Sequence, residues 1–303
     1  MKISTKTIKH IPPYLSTVIQ NLDDPINLEQ RRVKEFSLKI PPHPGNRHIY
    51  LLWSGGLDST SALLMALESG CHITTINFNY GQQYFNKEES TINQLTNSIK
   101  KKYPQSSDLW QNHISIDISW LSQKTAEEFG GQWGHIFPLR NYVLIRETAN
   151  LISKPNFQEI WFSCVQGEIP FSGGDKSILF LSQIQKQLSN TNLVLITPLI
   201  GFNKTDLVQW AYSNPTRWPL ITNTISCFNG MGQSHCGQCQ ACFNRLVGFF
   251  NAGQTDSVGF PINKSNLTPF SQKYHQLLDS HHHYSITRRA QIQQLINFLA
   301  NHD

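Results

Sequence analysis

The chain has 303 residues, of which 39% are hydrophobic, 11% aromatic and 15% charged, and its formal net charge is +5. That length can bury a sizeable core as one large domain or two ordinary ones, and the composition excludes collagen-like, coiled-coil and wholly disordered chains. With no apolar run near the roughly eighteen residues of a membrane span, no signal-peptide order at the start and only modest basic charge, a soluble cytoplasmic protein is expected, with neither membrane nor nucleic acid as partner.

Residues 1–47 read as an N-terminal extension that closes in the Pro-rich linker Pro41-Pro42-His43-Pro44-Gly45. The apolar run His48 to Trp53 predicts a strand, Asp58 to Glu68 a helix that stops at Gly70, and Ile73 to Tyr80 a second strand. Helical spacing follows from Phe85 to Lys102 and from Arg140 to Leu151, with strands at His113 to Ile118, Glu159 to Val165 and Leu193 to Thr197. A helix opens at Lys204 and runs to Tyr212. The alternation implies an α/β class, doubly wound, mostly parallel sheet over residues 48–220, whose ligands bind outside the carboxyl ends of the strands. Residues 221–303 hold a cysteine cluster and helical patterns around Tyr274 to Leu278 and Ile286 to Leu299.

Between the first strand and the first helix stands Ser54-Gly55-Gly56-Leu57-Asp58-Ser59-Thr60. A glycine turn at a helix N-terminus presents backbone N–H groups to an anion, and Ser54, Ser59 and Thr60 add hydroxyls. No lysine follows the second glycine, unlike a Walker A loop, which argues against γ-phosphoryl transfer.

Cys227, Cys236, Cys239 and Cys242 fall within sixteen residues. Four thiolates close a tetrahedral zinc shell with no position left for water, so a structural zinc is expected; an iron–sulfur cluster is the chemical rival. His235, beside a ligand, reads as an exposed loop histidine, while Cys71 and Cys164 read as small core residues.

The glycine string resembles the PP-loop of the N-type ATP pyrophosphatases, which cleave ATP between its α and β phosphates. The resemblance implies an adenine nucleotide alpha hydrolase-like fold, nucleotide binding by Ser54 to Thr60, and a role for Asp58 in placing Mg2+ and phosphate. Further on, Phe78-Asn79-Tyr80-Gly81-Gln82, Arg140-Asn141, Phe171-Ser172-Gly173 with Asp175, Thr197-Pro198-Leu199 with Lys204, and Cys227-Phe228-Asn229-Gly230 leading to the remaining cysteines resemble, in order, motifs of the 7-cyano-7-deazaguanine synthase family. Members adenylate 7-carboxy-7-deazaguanine with ATP, admit ammonia to form the amide, and activate the amide with a second ATP to leave the nitrile. Carried over, Lys204 stabilises charge at the α-phosphate with Asp58 and Arg140 beside it. Tyr80, Gln82, Asn141, Glu168, Phe171 and Asp175 join Arg140 as substrate contacts. The family also suggests a homodimer.

This sequence departs from the family at Leu57, where Gln is usual, at Asn79 for Asp, at Gln83-Tyr84 for Arg-His, at Leu139 for Gly and at Pro170 for Asp. Relatives in bacterial antiviral defence clusters are associated with attaching a deazaguanine to protein, so two outcomes stand open. Ammonia as nucleophile gives amide and then nitrile; an amine of a partner protein gives a conjugate that cannot become a nitrile. A PP-loop tRNA-modifying enzyme is a further alternative.

Overall fold

A computed structural model of the chain describes residues 48–120, 140–152, 158–165, 176, 178–188, 191–228, 235–237, 239–256 and 286–301. The N-terminal extension, the helical pattern near Tyr274, and Leu139, Glu168, Pro170, Phe171 and Asp175 lie outside the described residues.

Five parallel strands form the centre: β1 (His48–Leu52), β2 (His72–Asn79), β3 (Trp110–Asp117), β4 (Gln158–Trp161) and β5 (Leu193–Ile196), in the order β3-β2-β1-β4-β5. The three inner strands and the edge strand β5 are buried almost throughout, as strands covered by helices on both faces must be. The period of two divides the core. Ile49, Leu51 and Trp53 pack with Trp161 and Ile196 on one face, while Tyr50 and Leu52 pack with Ile76, Phe78 and Ile160 on the other. Because β1 has β2 on one side and β4 on the other, the direction of winding reverses at β1, and a crevice opens at the carboxyl ends there.

Helix α1 (Leu57–Glu68) leaves β1 through the glycine turn, and α2 (Phe85–Lys102) links β2 to the short α3 (Ser106–Leu109). Helix α4 is Arg140–Leu151, α5 is Ile178–Leu188, α6 is Lys204–Tyr212 and α7 is Trp218–Thr222. Asn203 and Asp206 form a reciprocal capping box that fixes where α6 begins, and so where Lys204 stands. Helices α8 (Gln240–Asn251) and α9 (Ile286–Asn301) pair through Phe243, Leu246 and Val247 against Ile292, Leu295 and Ile296.

Two strand boundaries differ from the pattern in the sequence by more than one residue. Strand β3 begins at Trp110 rather than His113, because Trp110 crosses to β2 and its Nε1 donates to Thr75 Oγ1 at 2.9 Å. Strand β4 ends at Trp161 rather than Val165, at the level where its neighbour β5 ends at Ile196. Helices α3, α5, α7 and α8 were not anticipated; in α8 the cysteine spacing concealed a helix whose N-cap is Cys239. Cys71 and Cys164 are core residues, as expected. No helix among the described residues is long and apolar enough to cross a membrane.

Candidate active site

The turn between β1 and α1 is built for close approach. Gly55 has a φ of +70°, and a Cβ placed there would meet Thr91 Cγ2 at 3.2 Å, so both backbone conformation and space require glycine. Gly56 is the N-cap of α1 and makes no side-chain cap, which leaves the first turn to receive an anion. Ser54 is exposed and its backbone N–H donates to Ser59 Oγ at 3.3 Å. Thr60 takes no such part: it is fully buried and its Oγ1 accepts from Trp53 Nε1 at 3.1 Å, pinning the helix to the strand. Leu57 is a core residue whose edge reaches the cavity.

Above this turn lies a cavity of about 240 Å3, lined by Ser54, Gly56, Asp58 and Ser59, by Asn77, Phe78 and Tyr80 from the end of β2, by Arg140 and Asn141 of α4, and by Lys204. Lys204 Nζ donates to both carboxylate oxygens of Asp58, at 2.7 and 2.6 Å, with the lysine only 6% exposed. Each residue stands at the start of a helix, so two helix N-termini converge on the cavity with their positive ends inward.

A second wall is polar and partly ionisable. The Tyr80 and Tyr84 hydroxyls share a short hydrogen bond, the Arg140 guanidinium lies 5.7 Å from the centre of the Tyr80 ring, and Glu88 lines the cavity a turn beyond Tyr84. Burial pushes the Glu88 carboxyl up to about 7, against the opposing pull of Gln82's amide and the Arg140 charge. Both tyrosines are raised as well, again chiefly by burial. Gln82 does not itself line the cavity. It braces the wall: Nε2 donates to Phe78 O at 2.8 Å and to Glu88 Oε2 at 2.9 Å, while Oε1 accepts from Tyr80 N at 2.8 Å.

Sequence reasoning missed Asn77, Tyr84, Lys87, Glu88, Ser163, Lys176, Phe228 and Asn244, all of which line the cavity. The step of four from Tyr84, the N-cap of α2, to Glu88 was a readable signal of one shared face. For Ser163 and Asn244 no local pattern existed.

The four cysteine sulfurs lie within 4.8 Å of one another, with Cys239–Cys242 at 3.5 Å and Cys236–Cys242 at 3.9 Å. A tetrahedral shell with Zn–S bonds of about 2.3 Å sets its sulfurs about 3.8 Å apart, so the cluster fits zinc. Backbone N–H groups of Cys236 and Phe228 donate to Cys227 Sγ and Cys239 Sγ, at 3.3 and 3.5 Å, as thiolate acceptors invite. The thiols of Cys227 and Cys242 hold Cys239 down to about 3. Ionising all four together takes a cation. His235 corrects the expectation of an exposed loop histidine: it is 4% exposed, and its Nε2 accepts from Ser226 N at 3.1 Å, which fixes the chain just before Cys227.

The four-cysteine cluster and the phosphate turn are neighbours. Cys227 and Phe228 line the cavity, Phe228 packs 5.5 Å from Tyr84, and Ile225 N donates to Gly55 O at 3.3 Å.

A family profile described as Queuosine biosynthesis protein QueC matches residues 48–253, the span that holds the turn, the cavity and all four cysteines. The chain belongs to the QueC family. Among its relatives, a protein of Aliarcobacter butzleri named 7-cyano-7-deazaguanine synthase is 29% identical over 229 residues, covering 68% of this chain and 92% of that protein. Proteins of the same name from Sulfurovum sp. and Campylobacter fetus are 28% and 27% identical over 219 and 226 residues, each covering 68% of this chain and 95% and 94% of their own. A solved 4-thiouridine synthetase–RNA complex with bound ATP aligns at 19% identity and a TM-score of 0.39, over 62% of this chain and 46% of that one, too low to bear on fold or function.

Asn79 is held by two local hydrogen bonds. Asn79 Nδ2 donates to Asp117 Oδ2 at 2.9 Å, and its Oδ1 accepts from Gly81 N at 3.1 Å. An aspartate at position 79 would set two carboxylates against each other.

Proposed function

We propose that this protein uses ATP to adenylate 7-carboxy-7-deazaguanine and passes the acyl adenylate to a nitrogen nucleophile. The observation that carries the reading is the Lys204–Asp58 pair at the mouth of an uncapped helix N-terminus, facing a polar cavity in a chain of the QueC family.

A carboxylate oxygen of the substrate attacks the α-phosphorus, the bond to the β-phosphate oxygen breaks, and pyrophosphate leaves. The first turn of α1 and the hydroxyls of Ser54 and Ser59 hold the departing phosphates, and Lys204 turns from Asp58 to the charge that grows on the α-phosphate. Asp58 suits one oxygen position of a magnesium ion, which supplies charge for pyrophosphate when bound with ATP. Arg140 and Asn141 orient the carboxylate, and Tyr80 walls the ring. The nitrogen nucleophile then attacks the acyl carbon and AMP departs. Ammonia leaves an amide with two N–H hydrogens, which a second activation converts to the nitrile.

The chain is read as an extension (1–47), a PP-loop domain (48–220) and a zinc-bearing helical portion (221–303). The packing of α8 against α6 supports treating the last two as one working unit, because Gly248 of α8 meets Lys204 directly.

The test is calorimetric titration of ATP with magnesium, followed by mass spectrometry of the product from ATP, 7-carboxy-7-deazaguanine and ammonium. AMP release that depends on the carboxylate is expected, and failure to bind ATP overturns the reading. The product mass separates free amide or nitrile from a conjugate on an added protein amine.

A further inference from the structure

Two polar groups in the cavity are buried without a partner. Asn77 is 5% exposed, and neither its Nδ2 nor its Oδ1 meets a hydrogen-bond partner among the described residues; the same holds for Ser163 Oγ. Both residues line the cavity. Native proteins pair more than nine in ten buried polar groups, because an unmet one keeps its desolvation cost, so both atoms of one carboxamide left open in the same cavity as a third open group point to a ligand that completes them.

Their placement is specific. Strands β2 and β4 flank β1, and the phosphate turn leaves the end of β1 between them. Trp53 N donates to Ile76 O at 2.8 Å, so Asn77 is the next residue of β2 at the carboxyl edge of the sheet. Ile76 and Phe78 pack into the core face below, which leaves Asn77 on the opposite side of the strand. On β4's side, Ser163 follows the buried Trp161 and Phe162.

An asparagine carboxamide offers a donor and an acceptor side by side, and the matching partner is a planar ring edge with an adjacent acceptor and donor, as when Asn pairs bidentately with adenine. We propose that Asn77, with the Ser163 hydroxyl in the same cavity, reads the hydrogen-bonding edge of a purine-like ring and is a specificity-determining residue of this site. The inference rests on the proposed function, which supplies two rings with such an edge: the adenine of ATP and the deazaguanine of the carboxylate.

ATP–magnesium and 7-carboxy-7-deazaguanine are titrated separately into the full-length protein and into Asn77→Leu and Asn77→Ala, and the ligand-free Tm of each is measured. One ligand is expected to bind tenfold or more weakly to both variants while the other shifts less than twofold, which also assigns the ring. The ligand-free Tm of Asn77→Leu is expected to hold or rise, since an unmet amide has been replaced by an apolar group of similar size. Unchanged affinities for both ligands overturn the inference alone. So does a parallel loss of both with a fall in Tm, which marks a structural role. If the unsubstituted protein binds neither ligand, the proposed function falls and this inference with it.

Discussion

Lys204 and Asp58, 146 residues apart in sequence, are joined by two hydrogen bonds of 2.7 and 2.6 Å at the meeting of two helix N-termini. A lysine there opposes its own helix dipole, and the carboxylate offsets that cost. Asp58→Ala therefore leaves a buried ammonium without its carboxylate, and is expected to cost about 1–3 kcal/mol, less than the extreme for fully buried pairs because Asp58 retains some exposure. Lys204→Met is expected to be the milder change for stability, since an aspartate in the first turn of α1 is favourable by itself. Urea midpoints of the two variants check this order. Both substitutions are expected to abolish AMP formation.

Gly248 supports the same lysine from behind. A Cβ at 248 would stand 2.8 Å from Lys204 Cβ and 3.2 Å from its backbone carbon, too close for either helix to keep its place. Gly248→Ala is expected to destabilise by about 1–3 kcal/mol as α8 is pushed from α6, and to lower kcat at least tenfold by moving Lys204. Gly253→Ala is the contrast: at a φ of +68° with nothing within 4 Å of the added Cβ, it carries backbone strain of about 1–2 kcal/mol yet should leave kcat unchanged. Paired chemical denaturation and steady-state kinetics separate the two.

Glu88 gives the fold a pH dependence of definite sign. Its carboxyl is raised by burial from the ordinary 4.5 to about 7, so between those values the unfolded chain has lost a proton that the folded chain still holds. Stability from this group is present in full below about pH 4.5, falls as pH rises and levels off above about pH 7, a change of about 3 kcal/mol at about 1.4 kcal/mol per unit. Glu88→Gln is expected to flatten that part of the profile, measured by denaturation at about pH 5 and 6, inside the window, and at about pH 7.5, above it. An undiminished slope in the variant would assign the dependence to other groups.

The sheet and the phosphate turn were legible because their causes are local. Apolar runs from His48 and Ile73, a glycine pair between strand and helix, and the four-thiol spacing each state their chemistry within a few residues. Helices α2 and α4 occupy the ranges that their periodicity predicts. The site was legible only in part because its walls come from distant segments. Nothing near Ser163 or Asn244 announces that the sheet edge and α8 bring them to one cavity. Thr60 belongs to the matched string but is turned inward by Trp53, and Gln82 belongs to a matched motif but acts behind the wall. The buried His235 was misread because an interior role for it depends on Ser226, nine residues earlier.

Cys227 both belongs to the four-sulfur cluster and lines the cavity, and two positions earlier Ile225 N holds Gly55 O of the phosphate turn. Elemental analysis is expected to find one zinc per chain, and cobalt substitution to give the absorption of a tetrahedral thiolate site. Removing the metal leaves four crowded thiols, of which only a fraction can ionise, so the segment from Ile225 to Phe228 loses its anchor and the turn loses a contact on its outer side. A strong chelator or Cys236→Ser is therefore expected to lower Tm and to weaken ATP binding several-fold, although Cys236 itself does not line the cavity. Zinc loss with an unchanged ATP affinity would show that the turn holds its shape without the cluster, and would confine the metal to fastening α8.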